Sequence, residues 1–349
     1  MTDHFQQKPI RLRRPSVKDV AAAAGVSVAT VSRSFNMPET VRAEVRDSVL
    51  RAANSLGYSP NPSAKALRLQ RTGIAGAVFP STAHGIYASM LTGFQTEMSR
   101  ERYLTVLMTV GFDNRNILEP VRQLVEHGAE ALMIVGEIED DRMVAYLKQA
   151  GIPVVCTYSK LPGNPFLTAG IDNYQAIVQV VDYLYSVGHR RFAMISGPVL
   201  GNDRQRARKQ AFIDCMHARG IEGPPLIYES IDHESSEFAV SVVHALREQH
   251  PEVTALVCSG DQYGIAAIHT AHQMGLRVPE DLSITGFDDQ SYAALTIPTL
   301  TTVSVPGRQM GEQAARAVLQ AINQGNPIRH LCLETPLMIR GSSGPAPTR

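Results

Sequence analysis

The chain has 349 residues, of which 44% are apolar and 19% charged, with 33 basic and 33 acidic side chains. Such a length suits two or three compact units, each able to bury its own core. The composition excludes disordered, collagenous and membrane-spanning classes, because no stretch approaches the ~18 apolar residues of a spanning helix. Zero net charge hides a split. Residues 1–71 hold three Lys and nine Arg against three Asp and two Glu, and the rest of the chain carries the compensating acidic surplus. A basic arm on an acidic body is the electrostatic signature of a phosphate-binding module. The small apolar run from Ala21 to Ala29 follows Lys18 and Asp19 too closely to be a secretory segment, so a cytoplasmic, membrane-free protein is expected. Cys156, Cys215, Cys258 and Cys332 are scattered without a CxxC pair, which predicts reduced, mostly buried thiols and no metal.

In chain order, Ser16 followed three residues later by Asp19 predicts a capped helix through about Ala23, with Val17, Val20, Ala21 and Ala24 on one face. Gly25 supplies a tight turn, and Ser27 is placed to cap a second helix from Val28 to about Phe35, with Val31 buried. Val45, Val49, Ala52, Ala53 and Leu56 predict a third helix from about Arg42, stopped by Gly57. Two short helices joined by a Gly turn and braced by a third make a helix-turn-helix, whose second helix enters the major groove. On that helix Val28 and Ala29 can offer apolar contact to a thymine methyl, and Arg33 a bidentate bond to guanine. Ser27, Thr30, Ser32 and Asn36 suit phosphates. Beyond it, Asn61 and Pro62 can start a helix of one or two turns, too short to be stable alone in water.

The stretch VKDVAAAAGVSVATVSR from Val17 to Arg33, then Asn36, then LGYSPNPSAKAL from Leu56 to Leu67, closely resembles the lactose/galactose-repressor (LacI/GalR) family. The resemblance implies a pseudo-palindromic double-stranded DNA operator, a homodimer, and a hinge helix whose Leu67 wedges a central base step open. Arg42 departs from the family's usual Ser cap of the third helix, and Thr40 offers a cap upstream.

From Thr72 strands and helices alternate. Strands are expected at Ile74–Phe79, Leu104–Val110, Ala131–Val135 and Val154–Thr157, then at Phe192–Ser196, Ala255–Ser259 and Ser283–Gly286. Helices are expected near Tyr87–Arg100, Ile117–His127, Arg142–Gln149, Ala176–Val187, Gln205–Arg219, Phe238–Gln249 and Gly264–Met274. Alternation in two series implies two doubly wound parallel-sheet α/β lobes. The expected fold is therefore a small all-α headpiece plus a two-lobed core that, by the resemblance, is like a periplasmic binding protein. Its divisions are an extension at 1–15, headpiece at 16–60, hinge at 61–71 and core at 72–345. Lobe 1 takes about 72–170 plus 304–332, and lobe 2 about 171–303 plus 333–345. The resemblance implies crossings near Ala169–Asp172, Thr301–Ser304 and Leu333.

Ligands of such lobes lie at the carboxyl ends of the strands. The resemblance places Arg208 and Asp288 in an effector site, within RKQAF from Arg208 and GFDD from Gly286, with PTLTTV from Pro298 also matching. Asp261 joins them as a hydroxyl acceptor, and Ser81, His84 and Tyr87 could line the facing lobe. Ala211 replaces a usual Gly, Gly260 stands where sugar-responsive members often carry Asn, and Tyr158 replaces an Asp; there is no Trp. With Arg204, Arg206 and Arg208 clustered, the lost carboxylate tilts the reading from a neutral sugar toward a sugar acid, although Arg204 and Arg206 could simply be solvated.

Catalysis and cofactors are not expected. His233-Glu234 does not continue into HExxH, and no P-loop, GxSxG or GxGxxG occurs. A transcriptional repressor gated by a sugar or sugar acid is the leading reading; a solute-binding protein, a nucleobase-responsive regulator and a sugar-processing enzyme are the competitors. The short stretch after Arg340-Gly341-Ser342-Ser343-Gly344 leaves no heptad segment, which favours a dimer over a tetramer.

Overall fold

The computed structural model describes residues 15–59, 71–221, 223–231, 236–324 and 330–348. Two compact units divide the chain, Met1–Thr72 and Gly73–Arg349. The expected hinge helix and its Leu67, like residues 1–14, lie outside the described residues.

In the first unit, α1 (Val17–Ala24) begins with a reciprocal capping box: the Asp19 carboxylate accepts from Ser16 N at 2.7 Å, and Ser16 Oγ accepts from Asp19 N at 3.4 Å. Gly25 ends it at φ 66°, a left-handed conformation that only glycine adopts without a Cβ penalty. Ser27 Oγ then accepts from Thr30 N at 3.1 Å to start α2 (Val28–Asn36). The bracing helix α3 (Ala43–Leu56) begins at Arg42 with no side-chain cap. Thr40 does not cap it either; its hydroxyl donates to Met37 O within the tight turn Pro38–Thr40, and no side-chain cap bond forms at the start of α3. Val20, Ala21, Val31, Val49 and Ala53 form the core, with Phe35 and Tyr58 packed against it, ring centroids 6.0 Å apart.

The second unit holds two six-stranded sheets. The first comprises β1 (Ile74–Phe79), β2 (Leu104–Thr109), β3 (Ala129–Val135), β4 (Val154–Ser159), β5 (Leu167–Ile171) and β11 (His330–Leu333), in the order β11-β5-β4-β3-β1-β2, all parallel. The second comprises β6 (Phe192–Ser196), β7 (Leu226–Glu229), β8 (Ala255–Cys258), β9 (Ser283–Asp288), β10 (Thr301–Ser304) and β12 (Leu337–Met338), in the order β12-β10-β9-β8-β6-β7, with β12 antiparallel to β10. The chain passes from one sheet to the other after β5, after β10 and after β11. Both sheets are covered by helices on their faces, which is why β1, β4, β6, β8 and β9 read as continuous apolar runs and are buried almost throughout.

The covering helices are α4 (Gly85–Arg100), α5 (Leu118–Glu126), α6 (Asp141–Ala150), α7 (Asn173–Ser186), α8 (Asp203–Ala218), α9 (Ser236–Gln249), α10 (Asp261–Gln273) and α11 (Gly307–Gln324). The short strands β5, β7, β11 and β12 and the helix α11 were not foreseen in the sequence, and Thr301–Ser304 proves to be a strand leading into a crossing. α11 packs across α4 at backbone distance. A Cβ on Gly311 would overlap Met90 O, and one on Gly93 would overlap Arg308 O. Cys156, Cys215 and Cys258 are buried and Cys332 is exposed; burial raises the Cys156 and Cys258 thiols far above their ordinary pKa and Cys215 to about 11.

Candidate DNA interface and effector cleft

On α2 the side chains divide sharply. Val31 and Ser34 are buried, whereas Ser27, Val28, Ala29, Ser32 and Arg33 are exposed and Thr30 and Asn36 are partly so. At about 100° per residue, Val28, Ala29, Ser32, Arg33 and Asn36 fall within about 140° of helix circumference, opposite the core side. Val28 is 42% exposed, an apolar side chain in water on the same face as an exposed guanidinium. Three of the expected phosphate contacts are locally engaged: Asn36 Nδ2 donates to Ser32 O at 2.8 Å, and the Ser27 and Thr30 hydroxyls lie 2.9 Å apart. α2 thus carries one outward stripe combining apolar, hydroxyl, amide and guanidinium groups, the chemistry that reads base edges and backbone.

In the second unit a polar cluster forms where the carboxyl ends of the two sheets face each other. Tyr158 at the end of β4 and Asp288 at the end of β9 meet, the phenol donating to Asp288 Oδ1. Each occupies a positive φ, 76° for Tyr158 and 110° for Asp288. Non-glycine residues hold such conformations only where surrounding contacts over-determine them, and they concentrate at ligand sites. Burial and then the Asp288 charge push the Tyr158 hydroxyl well above its ordinary pKa, so it is a donor at all working pH. Burial also raises the Asp288 carboxyl, against the pull of Arg208.

Arg208 and Arg204 are four residues apart on α8 and share one of its faces. Arg208 is 3% exposed; its Nε donates to Asn173 Oδ1 at 2.9 Å, its Nη1 to Ser259 O at 2.8 Å, and its guanidinium lies 3.5 Å from the Phe287 ring centroid. Arg204 is 2% exposed, with Nη1 on Asp203 Oδ1 at 3.0 Å. Burial opposes its charge, but Asp203, with the Tyr87 and Tyr158 oxygens, more than compensates and raises its pKa. Asp203 also accepts from Glu137 N at 3.1 Å and from Ser159 Oγ, stitching α8 to the first sheet. Arg206 lies on the rim, 2.5 Å from Glu139. From the first sheet come Tyr87, His84 and Phe112, whose rings contact one another at 5.5–6.2 Å, with Tyr87 also 5.9 Å from Tyr158. Gly136 (φ 92°) lets this cluster close: a Cβ there would overlap Arg204 Nη1 and stand 2.6 Å from Asn114 Nδ2.

Of the residues singled out from sequence, Arg208, Asp288, His84 and Tyr87 are brought together. Asp261 and Ser81 also make local hydrogen bonds. The Asp261 carboxylate is fully buried and accepts from Gln290 N at 2.7 Å and Thr302 Oγ1 at 2.5 Å, behind the Asp288 turn. Ser81 Oγ accepts from Ala83 N at 3.1 Å. Arg204, treated in the sequence as open to solvation, is instead buried in the cleft; its i,i+4 spacing from Arg208 was the available signal. Asn173 and Asp203, which hold Arg208 and Arg204, were missed because their contacts depend on packing between elements. Among the described residues no His/Cys/Asp/Glu group could hold a metal ion, and no helix is long and apolar enough to cross a membrane.

A helix-turn-helix unit followed by a two-lobed unit with a polar cleft defines a DNA-binding transcriptional regulator with a ligand-binding core. Residues 16–61 match the model of bacterial regulatory proteins of the lacI family, and residues 181–343 that of the periplasmic binding protein-like domain. The HTH-type transcriptional regulator CelR of Thermobifida fusca is 32% identical over 95% of this chain and 99% of its own length. The chain belongs to the LacI family. Among solved structures, a transcriptional regulator CelR–cellobiose complex is 29% identical, with a TM-score of 0.68 over 95% of this chain and all of that one. The Lac repressor dimer bound to operator and an anti-inducer shares the fold, with a TM-score of 0.83 at 24% identity over 95% of this chain and 99% of that one. These relatives are transcriptional regulators rather than enzymes.

Proposed function

We propose that this regulator is a homodimeric repressor that binds a pseudo-palindromic DNA operator and is controlled by a sugar or sugar acid held between the two lobes of its core. The observation that carries the reading is the exposed stripe of α2 in a unit whose charge surplus is basic. In this reading Val28, Ala29 and Arg33 contact base edges, and Ser27, Thr30, Ser32 and Asn36 contact phosphates. By the family resemblance Leu67 is the minor-groove wedge. The effector is contacted by Arg208, Asp288, His84 and Tyr87, while Asp261 and Ser81 shape the loops around it rather than touching it.

Two-fold symmetry of the dimer requires half-sites about one helical turn apart or a multiple. Control requires unequal affinity of the effector for the DNA-binding and released states, with ~1–3 kcal/mol of coupling typical. The test is a genomic-fragment binding selection with purified full-length protein at near-physiological salt, followed by titration of effectors against the selected operator. Recovery of an inverted repeat whose affinity shifts with effector is the expected outcome. Equal binding to all fragments removes the reading.

A further inference from the structure

Two buried polar atoms in the cleft have no hydrogen-bond partner, Nη2 of Arg204 and Nδ1 of His84. Tyr87 raises the Arg204 pKa through its charge and a side-chain hydrogen bond, yet no partner meets hydrogen-bond geometry at Nη2. His84 Nε2 lies 3.4 Å from the Gln262 amide nitrogen, and in the tautomer that accepts from it Nδ1 carries the hydrogen. In that tautomer both unpartnered atoms are donors. Leaving such groups buried and unsatisfied is costly, so two of them in one cleft call for an acceptor that the protein itself does not supply.

The acceptors nearest Arg204 already take several donors, while Asp288 keeps acceptor capacity for hydroxyl groups. Asp203 accepts from Arg204 Nη1, Glu137 N and Ser159 Oγ. Asp288 takes the Tyr158 hydroxyl, and Asp261 is tied to Gln290 and Thr302. A neutral hydroxyl brings one hydrogen for each oxygen and must find an acceptor for it. A carboxylate brings two oxygens with about four lone-pair sites and no hydrogen, which matches an unpaired guanidinium N–H beside an unpaired imidazole N–H.

Resting on the reading of this cleft as the effector site, we propose that the effector carries a carboxylate, seated against Arg204 Nη2 and His84 Nδ1 beside the Tyr87 ring. Arg208 and Asp288 then serve the uncharged remainder of the molecule. Arg204 is the residue that distinguishes acid from neutral sugar.

The experiment uses the full-length protein and matched probes: D-glucuronate, D-galacturonate and D-gluconate, each beside D-glucose, D-galactose or D-glucitol. Calorimetric titration is expected to show at least one acid binding tenfold or more tighter than its neutral counterpart. Arg204→Gln removes that preference and Arg204→Lys retains part of it, with circular dichroism reporting whether each variant folds. Should a variant not fold, the acid-to-neutral ratio of the natural protein decides alone. Neutral members binding as tightly as the acids, or no acid binding to folded protein, overturns the proposal. Operator affinity measured with the same compounds separates the two levels: acid binding that leaves the operator untouched supports the carboxylate site while removing effector control.

Discussion

Arg33 and Arg208 carry the same guanidinium into opposite surroundings. Arg33 stands in water on the outer face of α2, while Arg208 is 3% exposed among Asn173, Ser259 and Phe287. Arg33→Ala is expected to weaken operator binding by about 1–3 kcal/mol and to relax base choice at one position per half-site. A uniform loss on every sequence would instead mark it as a phosphate contact. Asp261 makes a prediction of another kind. Burial, then the Asp288 charge, push its carboxyl up to about 8, against the hydrogen bonds from Thr302 and Gln290. The unfolded chain releases this proton near pH 4. The folded protein therefore binds more protons than the unfolded chain between about pH 4 and 8, and the stability this contributes is complete below pH 4 and lost as pH rises toward 8. Asp261→Asn cannot ionise, so its melting temperature should gain on that of the natural protein from pH 5 to pH 8. A constant difference across that range would contradict the raised value.

Elements whose local chemistry and packing agree were legible in the sequence; those decided by distant partners were not. The capping box at Ser16 and Asp19, the Gly25 turn and the Ser27 cap define α1 and α2 locally, and apolar runs with few alternatives defined β1 and β6. β7 and β12 are short edge strands that exist through pairing with β6 and β10. α11 was hidden by Gly307 and Gly311, since glycine disfavours an isolated helix. In the fold these glycines are what lets α11 approach α4. The cleft followed the same division: Arg208 and Asp288 came from family motifs, whereas burial of Arg204 depends on Gly136 and Asp203 meeting from different sheets. If close approach is the reason for Gly311, Gly311→Ala should destabilise the core by about 1–3 kcal/mol through forced separation of the helices. Gln309→Ala, on the exposed side of α11, should stay within about 0.5 kcal/mol. Urea midpoints for the pair test this, and an unaffected Gly311→Ala midpoint would mean that the helices can slide apart freely.

At the scale of the whole molecule the charge split separates two kinds of electrostatics. The surplus of basic side chains in residues 1–71 includes Arg33, Arg42, Arg46 and Arg51, which are exposed or half-exposed. Exposed cations that neutralise phosphates release condensed counterions, so operator affinity should fall steeply with salt, about a thousandfold or more between 50 and 200 mM if six or more phosphates are engaged per dimer. Arg204 and Arg208 are almost fully buried, and buried charges are screened far less. Effector binding to the same protein should therefore change by no more than about threefold over that salt range. Parallel titrations of operator and effector measure both slopes in one preparation. Equal steepness in the two would mean that the effector is gathered by surface charge rather than by the enclosed guanidinium pair. A shallow operator slope would mean that the basic surplus does not face the phosphates.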